Sequence, residues 1–209
     1  MHATAENIVV PLELPIDRIQ AVSSREDFII YECKGKRVLH IGCTDWPLTE
    51  QRLRNNDLLH VPVTAAAAQC IGLDLSPEGI AVLEAAGIHN VELGNAERMD
   101  TARYRAAGIE MIVAGEVIEH LNNPGLFLEG CAEILRDGGT LLITVPNAFV
   151  PSRFARLLFG TEQVHKDHVA YYSPKTMNEL IRRHGFQVTF LGVSYPYPTQ
   201  PFLKPWKII

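Results

Sequence analysis

The sequence predicts an α/β fold, a doubly wound, mostly parallel sheet of about six to seven strands with helices on both faces. Short apolar runs recur along the chain without polar alternation, as strands buried on both faces require. Between these runs lie helical patterns with recognisable start and stop residues. The length of 209 residues suits one domain and is ample to bury a core. No internal repeat or low-complexity tract appears.

The first 35 residues are weakly periodic. Pro11 and Pro15 interrupt them, and Ile19 to Tyr31 is read as a short helix. Arg37 to Gly42 is the first buried strand, Gln69 to Leu75 the second, and Asn90 to Leu93 a shorter third. Glu110 to Ala114, Thr140 to Val145 and Phe186 to Val193 complete the set. Ser76-Pro77-Glu78 opens a helix with an N-cap, a proline at the first helical position and an acid in the first turn. Asn123-Pro124 opens the next helix, whose Phe127, Cys131, Ile134 and Leu135 share one face. Ser173-Pro174 opens another, with Met177, Leu180, Ile181 and His184 on one face and Gly185 as its stop. The organisation expected is an N-terminal extension over 1–35, a domain over 36–195 and an extended Pro-rich tail over 196–209. Residues 149–168 read as a lid-like insertion that sets Phe149, Phe154, Leu157, Leu158 and Phe159 among Arg153, Arg156 and Lys166.

Composition narrows the function. The formal net charge of −5 argues against a general nucleic-acid binder and toward a small-molecule substrate. Cys33, Cys43, Cys70 and Cys131 are widely spaced and form no C-x-x-C pair, so they read as reduced thiols of a cytoplasmic chain. No apolar run approaches the ~18 residues of a membrane span. The N-terminus lacks the basic-then-apolar build of a signal peptide.

Ligands of open α/β sheets bind at the carboxyl ends of the strands. Here those ends carry Gly42-Cys43-Thr44-Asp45, then Asp74, Asn95-Ala96-Glu97, Gly115-Glu116 and Pro146-Asn147. An acid closing the second strand is suited to a ribose, because a carboxylate accepts from both hydroxyls. A nicotinamide-dependent oxidoreductase should show G-x-G-x-x-G after the first strand, and this chain does not.

The stretch Ala114-Gly115-Glu116-Val117-Ile118-Glu119-His120-Leu121, with Asn123-Pro124-Gly125 and Leu135-Arg136-Asp137-Gly138-Gly139-Thr140, resembles class I S-adenosylmethionine (SAM)-dependent methyltransferases of the small-molecule type. It is similar to the ubiquinone-biosynthesis group, whose downstream pattern is matched by Asp167-His168-Val169, Tyr172-Ser173-Pro174 and Gly185-Phe186. The resemblance spans roughly residues 36–194. It implies a Rossmann-like SAM-binding domain and methyl transfer to a small acceptor, most readily a hydroxyl oxygen of a glycan, quinol or similar metabolite. Gly42 and Cys43 would face the amino-acid part of SAM, Asp74 would hold the ribose hydroxyls, and Leu75 next to it would also contact the cofactor. Ala96 and Glu97 would sit beside the adenine, and Gly115 and Glu116 would line the methionine end.

The first motif departs from the family. Its acid is His40, and only the first glycine survives, in His40-x-Gly42-x-Thr44-x-Trp46. Gly42 and Asp74 are also 32 positions apart, longer than usual, so the insert around Thr44 to Leu59 reshapes the amino-acid end of the site. A methyltransferase-fold binding protein without catalysis is the alternative that this departure supports. His168 and His120 are the candidate general bases, since a neutral imidazole can take the proton of a hydroxyl acceptor. Glu116, Glu119, His120 and His168 also resemble the metal site of a small-RNA 2′-O-methyltransferase family, which leaves a divalent ion and an RNA acceptor as further alternatives.

Overall fold

The computed structural model describes residues 20–147, 151–162, 164–194 and 207–208. Pro11, Pro15, Phe149 and the tail prolines 196, 198, 201 and 205 lie outside the described residues. The elements in chain order begin with β1 (Gln20–Val22), α1 (Arg25–Cys33), β2 (Arg37–Ile41), α2 (Thr49–Asn55), α3 (His60–Ala66) and β3 (Gln69–Asp74). There follow α4 (Pro77–Ala85), β4 (Val91–Leu93), α5 (Thr101–Ala106), β5 (Met111–Gly115) and α6 (Pro124–Ile134). The remainder is β6 (Thr140–Pro146), α7 (Pro151–Leu158), α8 (Pro174–Arg183), β7 (Gly192–Ser194) and β8 (Lys207–Ile208).

These strands form one sheet in the order β1-β7-β8-β6-β5-β2-β3-β4. Every pairing is parallel except those of β8, which runs antiparallel to both β6 and β7. The central strands are mainly apolar because their two faces meet different helices. Leu39, Ile41, Ile112 and Ala114 pack with Tyr104 of α5, Phe127, Leu128 and Cys131 of α6, and Met177 of α8. The alternate residues Val38, Met111 and Val113 pack with Ile29 and Cys33 of α1 and Val63 of α3. A third cluster joins Cys43 and Val91 to Ile80 and Leu83 of α4. The doubly wound fold expected from the sequence is therefore the fold observed.

Helix starts follow the expected chemistry. The Ser76 hydroxyl accepts from the Gly79 amide at 3.0 Å, and Ser173 and Thr176 form a reciprocal capping box at the head of α8. Four sequence expectations need correction. The helix read from Ile19 begins only at Arg25, because Ser24 caps it and Gln20–Val22 pairs instead with β7. The segment after Thr44 holds two helices, α2 and α3, that its weak apolar periodicity did not reveal. Of the strand expected over Phe186 to Val193, only Gly192 and Val193 pair, together with Ser194, since β8 offers just two residues opposite. The tail is not merely extended, for Lys207–Ile208 enters the sheet as β8.

Candidate active site

The carboxyl ends of β2, β3, β4 and β5 converge on one side of the sheet, and the loops that leave them build the site. Gly42 adopts φ +73°, and its amide donates to the Leu73 carbonyl at 2.8 Å. A Cβ there would lie 2.6 Å from Val117 Cγ2, so both the backbone angle and the close approach of the post-β5 loop require glycine. Cys43 points inward: it is buried, and burial beside Asp74 drives its thiol pKa far up, which leaves it an inert packing group.

The Asp74 carboxylate ties two loops together. It accepts from the Thr44 amide at 2.9 Å through Oδ2 and from the Ser76 amide at 3.0 Å through Oδ1. Two of about four lone-pair directions are thereby used, and the others remain for incoming hydroxyls. Leu75 beside it is 68% exposed, an apolar surface at the mouth of the cleft.

Thr44 stands where the family has its second glycine, and the structure shows what accommodates it. Its side chain is buried against Gly79 of α4, where an added Cβ would fall 2.5 Å from Thr44 Oγ1. The lost glycine of the loop is matched by a glycine on the helix facing it. Beyond Thr44, Asp45 takes φ +54° and Trp46-Pro47 is cis. Arg52 of α2 clamps this loop by pairing with Asp45 at 2.7 Å and Asp57 at 3.0 Å.

His40, in place of the family's acid, is buried and faces a second buried imidazole. Its Nδ1 lies 3.1 Å from Nδ1 of His60 in α3, so one ring donates and the other accepts, and the acceptor is neutral. Asn90 donates to Thr64 Oγ1 at 3.1 Å, and that hydroxyl lies 3.5 Å from His60 Nε2. Burial lowers the pKa of both rings, that of His60 to about 4. In the unfolded chain each returns to ~6.5. Between those values the unfolded chain binds more protons, so stability falls as the pH drops from about 6.5 to 4, by at most ~1.4 kcal/mol per pH unit per ring. Denaturant titrations at pH 7 and 4.5 should show this loss, and the double variant His40→Asn/His60→Asn should lose its share of the slope.

Ala96 and Glu97 begin a short 3₁₀ turn capped by Asn95. Ala96 is buried in the core, and the Glu97 carboxylate accepts from the Asn123 amide at 2.9 Å and from Asn123 Nδ2 at 3.3 Å. The Asn123 amide thereby holds the Glu97 carboxyl below the ordinary carboxylate range. Glu97 thus braces the head of α6 as well as bordering the cleft.

Gly115 has a reason the sequence did not disclose. A Cβ there would lie 2.5 Å from Arg25 Nη2. Arg25, at the first position of α1, is buried, with Nε donating to Thr144 Oγ1 at 2.9 Å and Nη1 paired with Glu26. A guanidinium is thus held beside the carboxyl ends of β5 and β6. Sequence reasoning missed it because a cation in the first turn of a helix, next to two acids, reads as a solvated residue. The next residue, Glu116, takes the left-handed region at φ +59°, and its amide donates to the Thr144 carbonyl at 2.8 Å. A non-glycine residue there stores about 1–3 kcal/mol of strain, and such positions cluster at functional sites.

After Glu116 the chain makes a 3₁₀ turn, Ile118–His120, that splits the acid and the imidazole. Glu119 is buried, and burial, with the Glu119 carboxylate adding to it, raises the pKa of the Tyr172 phenol. Its backbone carbonyl accepts from the Val169 amide at 2.9 Å, which fastens the segment carrying His168 to this turn. His120 projects to the partly exposed side and joins His165 and His168. Their ring centroids lie 4.5 Å apart for His120 and His168, 5.0 Å for His165 and His168, and 5.8 Å for His120 and His165. One nitrogen from each falls within 4.8 Å of the others. Glu116 and Glu119, two of the four ligands suggested by the sequence, are not members of this group. His165 is, and the motif gave no signal for it beyond its place three residues before His168. His120 Nδ1 donates to the Asp167 carbonyl at 3.1 Å, which leaves Nε2 as the basic nitrogen.

Residues 18–190 match the family described as methyltransferase domain. The chain belongs to that family. It is a class I SAM-dependent methyltransferase. Among relatives of this methyltransferase is the ubiquinone biosynthesis O-methyltransferase of Aromatoleum aromaticum, 29% identical over 183 residues, which make up 80% of this chain and 71% of the relative. The protein of the same description from Xanthomonas axonopodis pv. citri is 28% identical over 206 residues, 91% of this chain and 74% of the relative. A solved structure of a putative methyltransferase from Bacillus halodurans shares the fold at a TM-score of 0.59 and 17% identity, covering 81% of this chain and 71% of its own.

Two features of the present methyltransferase suit SAM. Gly42 with its positive φ and the backbone-bonded Asp74 lie at the carboxyl ends of β2 and β3. The buried Arg25 guanidinium lies at those of β5 and β6. No described helix is long and apolar enough to cross a membrane.

Proposed function

We propose that the protein methylates a hydroxyl oxygen of a small, soluble metabolite in the cytoplasm. The observation that carries this reading is the imidazole group at the carboxyl end of β5, set immediately after the cofactor-facing Gly115 and Glu116. When bound, SAM supplies a methyl group on a sulfonium that a nucleophile can displace in line. What the chain must add is position and proton removal. Asp74 holds the ribose hydroxyls with its remaining lone pairs, Ala96 and Glu97 border the adenine, and Arg25 offers its charge to the carboxylate of the methionine end. His120 Nε2, its tautomer set by the Asp167 carbonyl, accepts the hydroxyl proton, with His168 placing the acceptor. Relatives named for O-methylation in ubiquinone biosynthesis support the oxygen, and the charge of −5 favours a small acceptor over RNA.

In this reading α7 and the residues after it, through Glu162, close over the acceptor. Phe154, Leu157, Leu158 and Phe159 stand exposed, the last at 86%, which leaves an apolar surface free to cover a bound ring. Titration calorimetry with SAM and S-adenosylhomocysteine, followed by a methyl-transfer screen of quinols, catechols and glycans, tests the proposal. Absence of binding at millimolar concentration would refute it and leave a non-catalytic binding protein.

The three-imidazole group favours a second version in which a divalent ion sits on His120, His165 and His168. Three neutral nitrogens suit such an ion, and it would lower the pKa of a bound hydroxyl. EDTA separates the versions: a metal site predicts loss of turnover that added metal restores, and the imidazole base predicts unaltered turnover.

A further inference from the structure

Three imidazoles meet beyond the carboxyl end of β5, and their donor chemistry decides which ion they can hold. The resemblance pointed to Glu116, Glu119, His120 and His168, a mixed oxygen and nitrogen set of the kind a hard cation accepts. The structure assembles His120, His165 and His168 instead, with one nitrogen of each within 4.8 Å of the others and neither glutamate in the group. We infer that this group is a site for a nitrogen-preferring transition ion of the zinc and cobalt class, and that Mg²⁺ does not fill it. The inference deepens the metal-bearing version of the proposed function, on which its catalytic use rests. The binding itself requires no methyl transfer.

Three observations support the assignment. The first is convergence. His120 stands edge to face with both partners, at 88° to His168 and 77° to His165, and the third pair is tilted by 39°. The lone pair of an imidazole nitrogen lies in the ring plane, so rings set edge to face can aim at one point where stacked rings cannot. Nitrogens bound to one tetrahedral ion lie about 3.4 Å apart. A span of 4.8 Å therefore closes with a small turn of the His165 side chain, which is 55% exposed.

The second observation is preorganisation. His165 and His168 share one turn, in which the His168 amide donates to the His165 carbonyl at 3.1 Å. The Val169 and Ala170 amides then donate to the Glu119 carbonyl at 2.9 and 3.3 Å, which seats that turn against the 3₁₀ turn carrying His120. The third is the support behind the rings. Asp167 accepts from His120 Nδ1 through its backbone carbonyl at 3.1 Å. It also approaches His165 Nδ1, with its carboxylate at 3.8 Å and its amide at 3.4 Å. Metal-bound imidazoles are held from behind by a carbonyl or carboxylate, which fixes ring orientation and raises ligand basicity. One residue here serves two rings. Neutral imidazole suits zinc, nickel and their neighbours, whereas Mg²⁺ seeks oxygen and dehydrates reluctantly. Thiolates play no part, since Cys33, Cys43, Cys70 and Cys131 are packed in the core. Three histidines also leave a tetrahedral ion one position for water or an acceptor hydroxyl.

The test titrates Co²⁺ into the intact protein, stripped with EDTA and desalted, in the absence of SAM. Cobalt in a low-coordinate nitrogen site absorbs visible light, so occupancy is read directly. A saturable band is expected at one ion per chain, unaffected by a large excess of Mg²⁺ and abolished by Zn²⁺. His165→Asn, a change on an exposed side chain, should weaken cobalt binding by about tenfold or more. Glu116→Gln should leave it unchanged. Absence of the band, competition by Mg²⁺, or a loss on Glu116→Gln with none on His165→Asn overturns the inference. Titration calorimetry with SAM on the same samples separates the two readings. Cobalt binding without SAM binding upholds the site and refutes methyl transfer, and the opposite result refutes the site and leaves the imidazole base.

Discussion

Asp74→Ala is expected to weaken SAM binding at least tenfold, equivalent to about 1.4 kcal/mol. The substitution removes the carboxylate that would meet the ribose and also releases the Thr44 and Ser76 amides that it now accepts from. Asp74→Asn separates these contributions. Its amide oxygen can still accept one backbone bond, but it no longer presents a charged acceptor to two hydroxyls. Calorimetry should rank wild type, then Asn, then Ala. Equal affinity for all three would move ribose recognition to another residue. Thermal melts without ligand should show the loop contribution alone, since the ribose plays no part there.

The second large effect concerns Gly79. Gly79→Ala puts a Cβ 2.5 Å from Thr44 Oγ1 and close to its Cβ, inside a packed site with little room to yield. Overpacking of this kind costs about 1–3 kcal/mol. In a chain of this size that is a fall in Tm of roughly 2–4 °C per kcal/mol. The diagnostic result is the double variant. Thr44→Gly empties the space the new methyl needs, so Thr44→Gly/Gly79→Ala should be more stable than Gly79→Ala alone. A thermodynamic cycle with no coupling between the two positions would show that the threonine and the facing glycine are not matched.

The same pair explains why the first motif looked more damaged in the sequence than it is in the fold. Read alone, Thr44 in place of glycine signals a loop that cannot close on a ligand. The compensating residue lies 35 positions later on another element, and no local pattern connects them. The strands from Arg37 to Val145 were legible because each is a short apolar run ended by a small or acidic residue, and burial on both faces imposes that pattern. α2 was not, because Thr49–Asn55 is mainly polar and presents no apolar stripe. α3 holds Pro62 in its first turn, where proline is tolerated, and its seven residues are too short to show a periodic apolar face. In the site, His120 and His168 were legible because they sit in motifs. Arg25 and His165 were not. Arg25 meets Thr144 across 119 positions, and only the completed sheet brings them together.

That long reach governs when the site can exist during synthesis. Arg25 opens α1 three residues after the end of β1, and β1 is anchored at the sheet margin by β7, whose Gly192 faces Gln20. A nascent chain that has left the ribosome only as far as β5 can pair β2 with β3 and β5, since those ladders are already complete. It has neither the hydroxyl of Thr144 nor the strand that seats β1. Contacts of such sequence separation form late, because chain closure must precede them. The emerging chain can therefore bring the Asp74 carboxylate to the Thr44 and Ser76 amides before Arg25 has Thr144 to meet.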